Sequence, residues 1–443
     1  MKRTGAAMER NTASVGLVSL GCSKNRVDSE RLLGMLVSYG FTVVNEPSRA
    51  DVLIVNTCGF IDSAKEDSIV NVLEMAQYKR DGRCKCLVVT GCLSQRYPDE
   101  LRAELPEVDV FTGVSAAGYD ELAKKLARMF DLNGNAGCGG RLLTTPPFRA
   151  YLRIADGCDN CCTYCAIPLI RGGRKSVPME RLLDEARSLA DGGVTELTVI
   201  AQDTTSYGMD LYGKPMICEL LKALARIEKL KWIRLLYTYP NTVDEALIDT
   251  IVSEEKLLNY IDMPIQHIDS DMLKRMNRHG TREHIEHIVE YIRRAAPDFI
   301  LRTTAIVGFP GETEAQFAEL LEFFKRHNFD RLGAFTYSQE DGTPAAEYEG
   351  QVCDEEKRRR YDALYTMQQE ISMRRNAARV GGTERVLVEL ITDDTLYCRS
   401  YAEAPEIDGF IIVERGDRDV KEGDYMDVRL TAAREYDMIG VPI

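Results

Sequence analysis

Three times in the first third of the chain, a short apolar run ends in a turn that carries a cysteine, and a helix follows. Val15-Gly16-Leu17-Val18-Ser19-Leu20 runs into Gly21-Cys22 and then helical spacing from Val27 to Tyr39. Asp51-Val52-Leu53-Ile54-Val55-Asn56 runs into Thr57-Cys58-Gly59 and a helix from Ser63 to Tyr78. Cys86-Leu87-Val88-Val89-Thr90 runs into Gly91-Cys92 and a helix from about Asp99 to Leu105. Such alternation specifies βαβ units and a parallel sheet. Functional groups in these sheets collect beyond the C-terminal strand ends, so Cys22, Cys58 and Cys92 should converge. Gly21, Gly59 and Gly91 let backbone come close there, and nearby helix N-termini favour thiolate. One cysteine at a strand end is an ordinary small core residue. Three at the same turn read as one three-legged metal cluster with an open iron.

A second set lies in the stretch from Tyr151 to Ser176, as Cys158-x3-Cys162-x2-Cys165 with Cys161 inside the first gap. Clustered thiols in a reducing compartment bind metal or do redox chemistry rather than form disulfides. Zinc ribbons use four ligands in two separated C-x2-C pairs, and no second pair follows. Soft thiolates suit an iron–sulfur cube. Three ligands leave one iron open, which makes it a place for chemistry. A zinc site or a patch of free thiols is the rival reading. Of thirteen cysteines, Cys84 and Cys86 stand at the front of a strand. Cys138, Cys218, Cys353 and Cys398 are isolated. These six read as structural.

Residues 131–148 are rich in Gly, Asn, Thr and Pro and read as a linker. Beyond them, candidate strands at Ala150–Ala155, Glu196–Ile200, Trp232–Leu236, Tyr260–Met263, Ile300–Ile306 and Arg331–Thr336 alternate with helices. Six βα units predict a partial barrel with its site at the C-terminal strand ends. The polar candidates fall there, Gln202 after the second strand and Gln266 and His267 after the fourth. Residues 308–312, Gly-Phe-Pro-Gly-Glu, follow the fifth. The helix from Asp354 to Arg379 reads as a solvated connector with Tyr361, Leu364, Met367 and Ile371 as its packing stripe. After Gly381-Gly382, five short strands in about 60 residues predict a small OB-like β-barrel. From Glu384 onward fifteen Asp or Glu face seven Lys or Arg, so its natural partner should be basic. The divisions are 14–130, 147–380 and 383–443.

The net charge of −14 excludes a surface that grips nucleic acid as a whole. No apolar run approaches the ~20 residues of a membrane-spanning helix, so no membrane is expected. The first dozen residues lack a signal-peptide core and read as disordered. Together with the free cysteines this points to the cytoplasm.

Cys158-x3-Cys162-x2-Cys165, with Tyr164 before the last cysteine, resembles the cluster loop of the radical S-adenosylmethionine (radical SAM) superfamily. Residues 308–312 resemble a segment that lines the SAM pocket there. Two cysteine trios and a small barrel resemble the methylthiotransferases of that superfamily, with their N-terminal cluster domain and C-terminal TRAM domain. Ser19–Glu30, Ile200–Gly208 and Arg399–Gly409 look most like the branch that modifies small-subunit ribosomal protein twelve. The family usually has a non-cysteine residue, often Arg, where Cys161 stands; the spacing selects Cys162 as the ligand.

The resemblance implies two [4Fe-4S] clusters, at Cys22, Cys58 and Cys92 and at Cys158, Cys162 and Cys165. It implies SAM against Tyr164, Gln202, Gln266, Gly308, Pro310 and Gly311, with no catalytic side chain beyond the ligands. A first SAM, cleaved by one electron from an external donor, gives the radical that takes hydrogen from an aspartate β-carbon. A second SAM methylates sulfur held at the first trio, and carbon and methylated sulfur combine. The acidic barrel fits a basic ribosomal protein. The alternative, a tRNA adenosine methylthiotransferase, would carry a more basic barrel.

Overall fold

Five short apolar runs in the first third become five parallel strands, two more than the cysteine pattern marks. In the computed structural model, which describes residues 12–132 and 140–443, these are β1 (Ala13–Ser19), β2 (Phe41–Val43), β3 (Val52–Thr57), β4 (Cys86–Gly91) and β5 (Val110–Phe111). Cys138, most of the N-terminal dozen and part of the 131–148 linker lie outside the described residues. The strand order is β2-β1-β3-β4-β5, all parallel. The order reverses between β1 and β3, and the crevice beyond the strand ends at such a switch point is where doubly wound sheets hold ligands.

Helices α1 (Ser23–Ser38), α2 (Asp62–Asp81), α3 (Cys92–Arg96), α4 (Pro98–Glu104) and α5 (Ala116–Met129) cover the sheet. Alternate strand residues serve opposite faces. Ile54 and Val88 pack with Leu32, Leu36 and Leu122, while Leu53, Val55, Leu87 and Val89 pack with Val72, Met75 and Leu101. With both faces covered, the strands read as continuous apolar runs. The first helix begins at Ser23 rather than at Val27, and Lys24, Asn25, Asp28, Ser29 and Glu30 are buried in it. The described end of the linker is fastened to that turn: Arg141 Nε and the Thr144 amide donate to the Glu30 carboxylate at 2.6 and 2.8 Å.

The chain resolves into two compact units. One runs to Thr144 and also includes Ala166–Gly172; the other comprises Thr145–Cys165 and Gly173–Ile443. The second opens with β6 (Arg149–Arg153) and a two-residue pair, β7 (Ala155–Asp156) with β8 (Lys175–Ser176). This pair closes the base of the cysteine loop, which contains α6 (Ile167–Arg171). Then come α7 (Met179–Asp191), β9 (Glu196–Ile200), α8 (Met209–Tyr212), α9 (Ile217–Ala225), β10 (Trp232–Leu235), α10 (Glu245–Ser253) and β11 (Leu257–Asp262). The run ends with α11 (Ser270–Arg275), α12 (Arg282–Ala295), β12 (Ile300–Val307), α13 (Glu314–His327) and β13 (Arg331–Thr336). The six long strands form one parallel sheet in strict sequence order, β6-β9-β10-β11-β12-β13. Every C-terminal strand end therefore lies at one end of the sheet.

Helix α14 (Asp354–Ala377) is not the solvated connector its composition suggests. It buries Leu364, Met367 and Ile371, and also Gln368, Ser372 and Asn376. These three polar side chains donate to the backbone carbonyls of Phe329, Asp330, and Arg434 and Glu435 respectively. Helical polar residues look like surface in a sequence, but a carbonyl within reach lets each be buried. His327 is half-buried, its ring against Phe323 with centroids 4.5 Å apart.

The last five strands, β14 (Thr383–Ile391), β15 (Thr395–Arg399), β16 (Ile411–Glu414), β17 (Tyr425–Ala433) and β18 (Met438–Pro442), close into a barrel ordered β14-β15-β16-β18-β17. The barrel and the six-stranded sheet share one unit because charge ties them. Arg399 is fully buried, donates to Glu196 at the start of β9 at 2.5 Å, and also meets Glu389 at 2.7 Å. Arg149 at the start of β6 pairs with Glu389 and Glu406 at 2.6 and 3.0 Å. Arg379 pairs with Glu403 and Glu384 at 2.7 and 2.8 Å. Arg234 donates to the carbonyls of Tyr401 and Ser400, and Tyr260 to Asp408. Among the described residues, no helix is long and apolar enough to cross a membrane.

Candidate functional site

Cys22, Cys58 and Cys92 stand just past the ends of β1, β3 and β4, across the switch point. Cys22 immediately precedes α1 and Cys92 is the first residue of α3. Glycine makes this convergence possible. A Cβ on Gly21 would lie 3.2 Å from Cys58 Sγ, and one on Gly59 2.7 Å from the Leu93 backbone. Gly91, at φ +102°, would place a Cβ 2.3 Å from the Thr57 carbonyl oxygen. Gly91→Ala therefore strains the backbone by on the order of 1–3 kcal/mol. Chemical denaturation should report that loss.

The three thiols feel one another's charge. Burial pushes the Cys92 thiol up to about 12, with Cys22 and Cys58 adding to the shift and Arg171 opposing it. The Cys58 thiol is raised by burial as well. The helix N-termini, expected to favour thiolate, are outweighed by burial at these two positions. A bound metal ion reverses that balance, because a coordinating thiol is deprotonated outright. Among the described residues no His, Cys, Asp or Glu set closes around one point as a mononuclear ion requires. A cube takes one thiolate per iron and spaces its sulfurs more widely than a single ion with bonds of about 2.3 Å does.

Around this trio lie residues that the sequence did not single out. Asn25 Nδ2 donates to the carbonyls of Leu20 and Thr57 at 3.1 and 3.0 Å, which turns its Oδ1 toward Cys92 Sγ, 3.4 Å away. Arg171, carried by α6, donates through Nη2 to Asn25 Oδ1 at 2.7 Å and Asp28 Oδ2 at 2.9 Å, and lies 3.7 Å from Cys92 Sγ. The run Ser23–Glu30 looks hydrophilic, so period alone places it outside the helix. The buried use of its side chains is a tertiary fact.

The second trio sits on the loop after β6 and β7. Cys158, Cys162 and Cys165 are half-buried, and Cys161 is exposed. Cys161 adopts φ +48°, and its carbonyl accepts from Asn277 Nδ2 at 2.9 Å. Thr163 pins the loop: its amide donates to the Met276 carbonyl and its hydroxyl to the Arg275 carbonyl. Burial raises the Cys158 thiol to about 11, and Asp203 and Cys162 add to the shift. Arg278, also missed in the sequence, is buried. It donates to the Tyr164 hydroxyl at 3.0 Å, lies 3.9 Å from Cys162 Sγ, and stacks 4.6 Å over the Tyr239 ring.

The remaining candidates gather at the C-terminal end of the same sheet. Gln202 Nε2 donates to Asp156 at 3.0 Å, while its Oε1 is buried without a partner. Gln266 holds φ +68° and also buries an unpartnered Oε1; Tyr237, after β10, holds φ +61°. Buried orphan acceptors cost free energy unless a ligand's donors meet them, and strained backbone concentrates at such sites. The residues present therefore fit a polar organic cofactor. Tyr164 packs with Met272, Met276, Phe309 and Tyr337.

Gly308, at φ +71°, gives its amide to the Glu312 carboxylate, which also accepts from Arg360 at 2.7 Å. His267 Nε2 lies 3.2 Å from Glu312, and its Nδ1 accepts from the Asp269 amide at 3.0 Å. Both ring nitrogens serve the scaffold. Pro310 is buried; Gly311 is exposed, with its amide on the Gly350 carbonyl at 2.8 Å. Cys84 and Cys86 are buried at the opposite end of the first sheet, and Cys398 lies in the barrel core.

Three family models tile the chain: the uncharacterized protein family UPF0004 over residues 14–113, the radical SAM superfamily over 152–324 and the TRAM domain over 380–443. The chain is 47% identical over 438 residues to the ribosomal protein uS12 methylthiotransferase RimO of Clostridium botulinum strain Hall, covering 96% of this chain and 97% of that one. It is 45% identical to the protein of that name from Geobacter sulfurreducens, covering 98% and 99%. In fold it is similar to the radical S-adenosylmethionine methyltransferase TsrM of Kitasatospora setae, with a TM-score of 0.53 at 14% identity, over 76% of this chain and 77% of that one. At such identity along nearly its whole length, the chain belongs to the ribosomal protein uS12 methylthiotransferase family, within the radical SAM superfamily.

Proposed function

We propose that this chain is the methylthiotransferase that replaces a hydrogen on the β-carbon of an aspartate in ribosomal protein uS12 with a methylthio group. The observation that carries the reading is the near full-length similarity to uS12 methylthiotransferases, which spans both cysteine trios and the barrel. Residues 14–130, 147–380 and 383–443 are its three functional parts. Cys22, Cys58 and Cys92 hold one [4Fe-4S] cluster, and Cys158, Cys162 and Cys165 hold the other, which takes SAM at its open iron. Once bound, these groups supply the radical and methyl-transfer chemistry that no side-chain acid or base can perform on an unactivated carbon.

The chain's own part is placement. Thr163 and Asn277 fix the loop; Tyr164, Met276 and Phe309 form an apolar wall beside it. Gln202 and Gln266 offer acceptors to the donors of SAM. Exposed Cys161 stays outside the ligand set. An external one-electron donor is a required partner, and the reaction takes place in the cytoplasm.

The barrel's charge supports a basic protein substrate. Of its fifteen acidic residues, Glu384, Glu389, Glu403, Glu406 and Asp408 are spent inward on arginines and on Tyr260. Asp393, Asp394, Asp417, Asp419, Glu422 and Asp424, on its turns, are exposed, as is Glu414 at the end of β16. These seven, with their turns, are the docking rim.

The deciding measurement is the mass of uS12 from cells with and without the gene. A gain of one methylthio group that needs the gene is the expected result. An unchanged uS12 together with gene-dependent methylthiolation of a tRNA adenosine overturns the reading. Gln266→Ala should weaken SAM binding by roughly tenfold, since one hydrogen bond is worth about 1–1.5 kcal/mol; equilibrium dialysis with SAM on the iron-loaded protein checks it, and unchanged affinity removes Gln266 from the pocket.

A further inference from the structure

Arg171 is a buried cation laid against a cysteine that the proposed function makes a cluster ligand. Its position is built rather than incidental. Its guanidinium is held at 2.9 Å by Asp28 and at 2.7 Å by Asn25, and its side chain is 1% exposed. Asp28 is equally enclosed, with 2% of its side chain exposed. Asn25 is itself fixed by two backbone carbonyls. Ile170 and Ala166 of the same short segment pack with Cys92 and Val114, so the arginine's backbone is anchored too.

Nothing in the proposed function uses this pair. A buried ion pair is weak evidence for stability, because desolvation offsets much of its attraction. Its direction is informative instead. Nη2 faces the sulfur at 3.7 Å. The Cys92 thiol now donates to Asn25 Oδ1. A ligating cysteine has lost that proton, and the bond to Asn25 goes with it. The guanidinium remains as a donor to the sulfur. Hydrogen bonds and net charge at cluster sulfurs are among the levers that set reduction potential.

We infer that Arg171 is a positioning residue that sets, through Cys92, the reduction potential of the cluster held by Cys22, Cys58 and Cys92, and that Asp28 meters how much of its charge the sulfur feels. The cation favours the reduced cluster, which carries one more negative charge, so it raises the potential. The carboxylate beside it withdraws part of that effect. The inference rests on the cluster assignment made under the proposed function.

The test uses the full chain with Cys158→Ala, Cys162→Ala and Cys165→Ala, so that one cluster is read. Iron and sulfide are counted after anaerobic reconstitution, and the midpoint is followed by electron paramagnetic resonance during a redox titration. Arg171→Met should move the midpoint negative by about one decade in the ratio of oxidised to reduced cluster, ~59 mV for one electron. Asp28→Asn should move it positive. The double variant Arg171→Met with Asp28→Asn removes both charges together, so neither member of the pair is left buried without the other. It should keep the parent's melting temperature and show a negative shift smaller than that of Arg171→Met alone. A double variant with the parent's midpoint overturns the proposal and leaves the pair a purely structural one; an unmoved Asp28→Asn overturns the metering role. No iron in the parent protein is a different result, and it sinks the cluster assignment itself.

Discussion

Replacing Cys22 with alanine leaves the reductive cleavage of SAM running and abolishes methylthiolation. The thiol is exposed, so its loss opens no cavity and costs little stability. It stands at the end of β1, with two partners from β3 and β4, while the trio proposed to bind SAM is fixed on its own loop by Thr163 and Asn277. Removing one ligand of the first set leaves every ligand of the second. The readouts are 5′-deoxyadenosine by chromatography and the mass of uS12. Product should fall to background while 5′-deoxyadenosine persists. Cys158→Ala should lose both. A folded Cys22→Ala protein that fails to cleave SAM, with its second cluster intact by iron count, contradicts this division of labour.

Arg399→Met should be among the most destabilising single changes outside the cysteines. It takes from Glu196, fully buried at the start of β9, its nearest counter-ion and leaves Arg234 Nε at 3.4 Å to offset the charge only in part. Burial by itself would raise the Glu196 carboxyl, but Arg399 and Arg234 outweigh it and hold the group at about 2. Removing one partner of such a pair costs about 3–5 kcal/mol, since the charge left behind stays buried. The pH dependence has a definite sign. A carboxylate whose folded value is depressed from 4.5 to about 2 adds stability that is complete above about 4.5 and is lost as the pH falls toward 2. Glu403 behaves alike: burial is outweighed by Arg379 and Arg331, which hold it at about 2. The deficit of Arg399→Met should therefore be largest at neutral pH and shrink below about 4.5, as protonation of Glu196 removes the uncompensated charge. Denaturant midpoints across pH 2–7 measure it. A deficit that does not change with pH would assign the loss to packing.

Much of the fold is legible because period and punctuation agree. Glu196–Ile200 and Arg331–Thr336 have the bounds their apolar spacing suggests. The convergence of Cys22, Cys58 and Cys92 follows from their equivalent strand ends, with Gly21 and Gly91 as the local signal. What escaped is polar and tertiary. The start of α1 looks like a loop because Asn25, Asp28 and Ser29 are hydrophilic, and their burial depends on residues more than 25 positions away. Arg171 and Arg278 lie in basic stretches that resemble solvated surface. The strands β2 and β5 are three and two residues long, too short for a period to register. The barrel's acidity was legible as a count, but its division between inward pairs and outward turns was not.

The way the barrel is fastened limits how such proteins can be recombined. Its acids are matched to Arg149 and Arg331 of the neighbouring sheet and to Arg379 just past α14, and its Ser400 and Tyr401 carbonyls to Arg234. A transplanted barrel whose carboxylates do not match these arginines leaves a charge without its counter-ion at each mismatch. The barrel is thus not a cassette that can be exchanged at the chain's own seams. A working chimera has to carry the arginines along with the strands, so the inheritable module is the joint rather than the barrel.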